Sequence, residues 1–265
     1  MRYCKFFDSQ AGSAQYGTVE EVNGALTITG RLAPWPEDHT VQLSDAPFSP
    51  VPFASSKLLA PVCPRKIICV GRNYRDHASE LGSDVPTEPL LFYKPTSSII
   101  GPGAEIVVPP VGLTERVDYE GELAVIMGKH CRNLRDGEDV RPYVRGYTVV
   151  NDVTARDLQK KDGQWTRAKG FDTFYPVGPI VTDEVDVWAG VDVNTFLNGE
   201  RKQHGNTREF IFPLDVVIRY ISQFTTLEPG DLISTGTPAG VGPIRPGDVV
   251  EVEIPGIGRL RNPVR

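Results

Sequence analysis

Asp118-Tyr119-Glu120-Gly121-Glu122-Leu123-Ala124-Val125 places three carboxylates in a stretch that otherwise reads as a buried strand. In a strand, side chains two apart share a face, so Glu120 and Glu122 point the same way. Two like charges side by side repel each other and are costly to bury. A hard divalent cation offsets that cost, and carboxylate oxygens suit Mg²⁺, Mn²⁺ or Ca²⁺. Gly121 has no side chain, which lets another part of the chain or a ligand come close. Spacing alone does not establish a metal site. Glu251 and Glu253 form a second E-x-E pair in Val249-Val250-Glu251-Val252-Glu253-Ile254, where the alternation reads as an exposed strand face.

Further polar residues have the spacing of a site. Tyr147-Thr148-Val149-Val150-Asn151-Asp152 reads as a strand ending in two polar residues, with Asp152 at a strand-to-helix junction. Thr154 is expected to open the helix, with Asp157 three residues on, close to a capping box. Arg156 and Gln159 would share a face of that helix. His77 and Glu80, also three apart, would touch on a short helix, giving a base with a carboxylate to orient it. Such a pair takes a proton from water or an acidic C–H and contributes about 10²–10⁴ in rate. Gly71 and Gly82 bracket this segment as the hinges of a lid would. Lys169, among small and aromatic residues, has the chemistry to polarise a carbonyl or anchor a carboxylate.

Gly236-Thr237-Pro238-Ala239-Gly240-Val241-Gly242 is not a phosphate loop: no Lys follows its glycines and the spacing fits neither nucleotide motif. It reads as a tight loop that binds a carboxylate through backbone N–H groups and the Thr237 hydroxyl. There is no G-x-S-x-G elbow, which argues against a serine hydrolase, and no dinucleotide fingerprint. His39 and His204 lie in polar, loop-like surroundings. His130-Cys131 lacks zinc spacing.

The elements that position these residues are mostly short strands. The chain has 265 residues, and its 23 prolines and 26 glycines punctuate short apolar runs, as turns between strands do. Residues 1–60 read as a small β-rich domain, with strands at Tyr16–Val19 and Ala25–Ile28 joined by an Asn23-Gly24 turn. A Pro-rich connector, Ala46 to Pro52, leads to a larger domain over residues 61–265. There, Lys66–Val70 reads as a strand with Cys69 in the core. Pro229-Gly230-Asp231 and Pro246-Gly247-Asp248 read as turns entering strands. Leu214 to Phe224 has the apolar spacing of an amphipathic helix, with Val217, Ile218, Ile221 and Phe224 on one face.

Bulk properties exclude some partners. A net charge of −6 without a Lys/Arg-rich run argues against nucleic acid. No apolar stretch approaches a membrane span, and Met1 to Phe6 lacks the apolar core of a signal peptide. The four cysteines are scattered without disulfide spacing. A cytoplasmic enzyme is the expectation.

From about Leu58 to its end, the chain resembles the fumarylacetoacetate hydrolase family. The resemblance rests on separated motifs in one order: Gly71-Arg72-Asn73-Tyr74 with His77, Tyr93-Lys94-Pro95, Asp118 to Glu122, Asn151 to Asp157, Lys169-Gly170-Phe171-Asp172 and Gly236-Thr237-Pro238. It implies an α+β fold, a β-rich mixed-sheet roll or barrel preceded by a small β-rich domain, and a homodimer. It further implies Mg²⁺ or Mn²⁺, with Ca²⁺ as an alternative, on Glu120, Glu122 and Asp152; Asp118 drops out as the outer start of the strand. Lys169, His77 and Glu80 match catalytic positions, and Arg72, Arg156, Gln159 and Thr237 match substrate contacts. The implied reaction is hydrolysis of a C–C bond in an acylpyruvate-like 2,4-dioxo acid through a stabilised enolate. Decarboxylation of oxaloacetate and isomerisation of a 2-hydroxy-diene diacid of aromatic catabolism use the same constellation. A non-catalytic ligand-binding protein is the alternative from another class, set against by the presence of every expected carboxylate and of Lys169.

Overall fold

A computed structural model of the chain describes all residues except 35–40, 45, 46, 81 and 83, and leaves aside the side chains of residues 34 and 41–43. His39, Ala46 and Leu81 thus lie outside the described residues.

The strand Gly121–Met127 is wholly buried and lies at the centre of the molecule. Its run Leu-Ala-Val-Ile-Met is apolar at every position, as a strand covered on both faces requires. Val144–Asn151 flanks it antiparallel, with Leu123 opposite Val149. Leu232–Ser234 flanks it on the other side, with Ala124 opposite Ser234. Beyond Leu232–Ser234 lie Ile67–Gly71, in parallel, and Leu90–Lys94. In the opposite direction come Tyr175–Thr182, Arg2–Asp8, Ser13–Val22, Ala25–Pro34 and Val41–Leu43. The N-terminal strands thereby extend the sheet of the rest of the chain, through Arg2 opposite Thr182 and Tyr3 opposite Val181.

The fold is the β-rich mixed α+β type expected, but the sheet stays open. Its path runs from Val41–Leu43 to Leu90–Lys94, and among the described residues these ends do not pair, so no barrel closes. Two smaller sheets complete the fold. One joins Thr154–Ala155, Val117–Tyr119 and Gly242–Pro243; the other joins Glu200–Asn206, Asp192–Leu197, Val249–Ile254 and Gly258–Pro263.

Local chemistry explains several elements. Asn23 and Gly24 have φ of 54° and 77°, the left-handed backbone of a two-residue hairpin turn. Gly230 and Gly247, at φ 88° and 98°, turn the chain into the two strands that Pro-Gly-Asp signalled. Glu251 and Glu253 alternate with buried Val250, Val252 and Ile254, and Glu253 accepts Arg259 Nε at 2.7 Å. The second E-x-E pair therefore lies on an outer face, as its alternation predicts.

Four α-helices are described: α1 Arg75–Glu80, α2 Arg156–Asp162, α3 Thr166–Lys169 and α4 Leu214–Phe224. None is long and apolar enough to cross a membrane. In α4, Leu214, Val217, Ile218 and Ile221 form the buried stripe and share one cluster with Leu123, Val125 and Val149. Phe224, expected on that stripe, is exposed because the helix ends there.

The capping box expected at Thr154 does not form. Thr154–Ala155 pairs as a strand with Val117–Asp118, and the Thr154 hydroxyl turns back to donate to the Asp152 carbonyl at 2.8 Å. Helix α2 begins at Arg156 without a side-chain cap, while Asp157 accepts from the Thr114 hydroxyl and the Glu115 N–H. Sheet pairing has overridden the local capping preference.

Ile218 carries the packing of α4, so Ile218→Ala is expected to cost about 2–5 kcal/mol of stability. A urea midpoint equal to the parent's would contradict the burial of that helix face.

Candidate active site

Glu120 sits where one strand becomes two. Val117–Tyr119 belongs to the small sheet and Gly121–Met127 to the large one. The expected single strand is thus interrupted at Glu120, yet the pair still converges. Asn151 explains how: its Oδ1 accepts the Glu120 N–H at 2.9 Å, while the Asp152 N–H donates to the Glu120 carbonyl at 2.8 Å. These bonds clasp Asn151-Asp152 against Glu120. Gly121 is required there because a Cβ would come within 2.1 Å of Thr195 Oγ1. The close neighbour is a side chain of the chain itself.

One oxygen from each of Glu120, Glu122 and Asp152 lies within 4.8 Å of the others, and all three residues are buried. Lysines and an arginine from other elements compensate two of them. Lys169 Nζ bridges Glu120 Oε2 at 2.8 Å and Asp152 Oδ2 at 2.6 Å. Lys94 Nζ donates to Asp152 Oδ1 at 2.6 Å and to the Val153 carbonyl at 3.0 Å. Arg156 holds Glu120 Oε1 through Nη2 at 2.6 Å and Asp118 Oδ2 through Nε at 2.9 Å. Asp118 is therefore not the outer end of a strand. It is fully buried and shared between Arg156 and Arg116, because α2 lies across it.

Among the described residues, Glu122 forms no salt bridge. Its Oε2 accepts the Ser234 hydroxyl at 2.6 Å and the Gly236 N–H at 2.8 Å. Burial, then the charges of Asp152 and Glu120, push its carboxyl well above the ordinary carboxylate range. Burial acts the same way on Glu120, but Lys169 and Arg156 outweigh it and hold that carboxyl low. Burial disfavours the Lys169 ammonium, yet Asp152 and Glu120 push it up to about 12. Lys94 faces a single carboxylate, so burial wins and its pKa falls. An oxygen-only donor set with one uncompensated buried carboxylate fits a hard divalent cation, which Glu120, Glu122 and Asp152 have the chemistry to hold.

The cluster forms the floor of a cleft of about 950 Å³. His77, Lys169, Arg72, Arg156, Gln159 and Thr237 all line it, so the structure brings together nearly every residue singled out in the sequence. Glu80 lies behind His77, with its Oε2 3.3 Å from His77 Nδ1. A carboxylate there favours the tautomer with the proton on Nδ1, which leaves the lone pair on Nε2. Burial works against the Glu80 charge, but His77 and the Gly240 N–H outweigh it and lower its pKa.

Not every expected role matches the hydrogen bonds observed. Thr237 donates its hydroxyl to the Gly121 carbonyl at 2.9 Å and accepts Gln203 Nε2 at 2.8 Å, so that proton is already committed. Arg156 Nη1 donates to Gln159 Oε1 at 2.7 Å, as their shared helix face predicts. Arg72 differs: it lines the cleft with its backbone in the left-handed region, φ 56°, and has no ion pair among the described residues. Three supporting residues went unassigned in the sequence: Lys94, Ser234 and Gln203. Two signals pointed to Lys94: it closes the apolar run Leu90-Leu91-Phe92-Tyr93, and it stands in the Tyr93-Lys94-Pro95 motif. Phe92 and Trp165 wall the cleft edge to face, with centroids 5.1 Å apart.

The raised pKa of Glu122 has a thermodynamic sign. A carboxyl whose folded pKa exceeds its unfolded one increasingly opposes folding as pH rises above the unfolded value, and does so in full above the folded one. At neutral pH, Glu122→Gln is therefore expected to raise the Tm of the metal-free protein and to remove any Tm rise given by Mn²⁺. A lower metal-free Tm in the variant would show that the Glu122 charge is instead compensated.

Residues 66–265 match the family described as Fumarylacetoacetate (FAA) hydrolase C-terminal. The chain is 45% identical over 263 residues to Protein Rv2993c of Mycobacterium tuberculosis, covering 97% of this chain and 91% of that one. It is 44% identical over 219 residues to the mitochondrial oxaloacetate tautomerase fahd2 of Xenopus laevis, covering 78% and 68%. The crystal structure of 2-hydroxyhepta-2,4-diene-1,7-dioate isomerase from Mycobacterium marinum superimposes with a TM-score of 0.86 at 40% identity, covering 100% of this chain and 98% of that one. A carboxylate-floored cleft on this open mixed sheet, with a family match over residues 66–265, places the chain in the fumarylacetoacetate hydrolase family.

Proposed function

We propose that the protein is a Mg²⁺- or Mn²⁺-dependent enzyme that shifts a proton on a small 2-oxo acid, interconverting keto and enol or dienol forms. The observation that carries this is the uncompensated carboxylate Glu122 beside Glu120 and Asp152 at the floor of a cleft that also contains a His–Glu pair. The relatives named as an oxaloacetate tautomerase and a diene-dioate isomerase support it, since both reactions move a proton beside a 2-oxo or 2-hydroxy acid.

Glu120, Glu122 and Asp152 would hold the dication, which would supply Lewis acidity to the 2-oxo acid. The chain's own residues do the rest. His77 Nε2 removes or returns the proton on carbon, while Glu80 keeps Nδ1–H oriented. Lys169 places an ammonium beside the oxygen that gains charge. Arg72, which has no ion pair among the described residues, binds the far carboxylate of a diacid. Phe92 and Trp165 keep water from that side of the cleft. The charges agree with a dianionic substrate: the dication offsets Glu122, and Arg72 remains to be matched.

Hydrolysis of an acylpyruvate is the second reading, and the His77–Glu80 pair favours it. The same base would activate water for attack on the 4-oxo carbon, releasing pyruvate and an acid.

One assay series separates these readings. Oxaloacetate enol and acetylpyruvate are followed by loss of enol absorbance with Mg²⁺, and products are identified. Faster ketonisation of oxaloacetate without pyruvate from acetylpyruvate is expected; pyruvate release moves the assignment to hydrolysis. EDTA and Glu120→Ala should each abolish turnover, and full activity in EDTA would sink the metal requirement. His77→Ala is expected to lower turnover by about 10²–10⁴ while Mn²⁺ binding, followed by calorimetry, stays close to the parent's.

A further inference from the structure

Ser234 ends the strand Leu232–Ser234, opposite Ala124 on the strand that carries Glu122. It is completely buried, and its single hydroxyl proton goes to Glu122 Oε2 at 2.6 Å. Two residues on, the Gly236 N–H reaches the same oxygen at 2.8 Å. Gly236 has φ 97°, and a Cβ there would meet Asn73 Cβ at 2.8 Å, so the backbone that presents this N–H admits glycine alone. Both donors converge on Oε2, so among the described residues Oε1 has no protein donor.

That asymmetry bears on which ion the cluster takes. Ca²⁺ accepts six to eight oxygens, often including both oxygens of one carboxylate, whereas Mg²⁺ demands a compact octahedron. Glu120 and Asp152 already have both oxygens on cationic donors, through Arg156, Lys169 and Lys94. Glu122 is the one carboxylate with an oxygen to spare, and Ser234 with Gly236 occupies its other oxygen. We propose that Ser234 is a positioning residue that holds Glu122 as a one-oxygen ligand and so biases the cluster toward a small octahedral dication over Ca²⁺. This rests on Glu120, Glu122 and Asp152 being the metal ligands.

Calorimetric titration of the full chain with Mn²⁺ and, separately, with Ca²⁺ tests it. Ser234→Ala is expected to weaken Mn²⁺ binding by about 10-fold or more and Ca²⁺ binding by less, so the preference for Mn²⁺ narrows. Ser234→Thr keeps the hydroxyl and should restore Mn²⁺ affinity. A purely structural defect would weaken both ions alike, and that result, or no change in either, overturns the proposal. Metal-free thermal unfolding checks that the alanine variant folds. If it does not, Ser234→Cys, with its weaker donor, replaces it and should shift the ion preference in the same direction. A parent chain that binds neither ion overturns the metal assignment itself, and this proposal with it.

Discussion

Three buried carboxylates within 4.8 Å of one another set the terms for the surrounding structure. At an effective dielectric of about 20, each such pair repels by roughly 3–4 kcal/mol. The chain meets this with cations from separate elements: Lys94 at the end of a strand, Arg156 at the start of α2 and Lys169 at the end of α3. Helices α2 and α3, short and without side-chain caps, pack where their cations are needed. A buried carboxylate left without a cation is the costly half of a buried ion pair. Glu122 is already in that position, so the fold holds a place for one further positive charge.

The loop from Gly236 to Gly242 connects the carboxylate floor to the His–Glu pair. Its Gly236 N–H grips Glu122, and its Gly240 N–H grips Glu80. Tyr119 donates to the Gly240 carbonyl at 2.9 Å, and Gln203 ties Thr237 and Pro238 to the Gly121 N–H. The loop does bind carboxylates through backbone N–H groups, as its composition predicts. The carboxylates are the chain's own. Gly240, at φ 100° and with no room for a Cβ beside the Lys202 carbonyl, has the same backbone requirement as Gly236. A displacement of this loop would reach Glu122 and Glu80 together.

Residues that interact at short sequence separation were legible in advance. His77 meets Glu80, Arg156 meets Gln159, the Asn23-Gly24 turn joins its strands, and α4 spans the residues its apolar spacing marked. The regular geometry of a helix or hairpin decides each of these. The capping box at Thr154 failed because a strand pairing with Val117–Asp118, almost forty residues away, claimed the same backbone. Asp118 was misplaced for a related reason: whether a strand end is covered depends on what packs across it, and Arg156 does. Lys94 was unassigned because its partner Asp152 is 58 residues away.

The sequence by itself determined which groups the site contains: paired glutamates, an Asn-Asp strand end, a His–Glu pair, a lysine and a glycine-rich loop, each set by residue type and local spacing. Only the tertiary structure decided how their charges are matched. It showed that Glu120 and Asp152 are salt-bridged and that, among the described residues, Glu122 is not. It showed that Arg156 and Thr237 are bonded to their own chain, that Arg72 has no ion pair among the described residues, and that the sheet stays open. Charge compensation inside a protein depends on distance and burial, and both come from packing segments far apart in sequence, which local spacing does not encode.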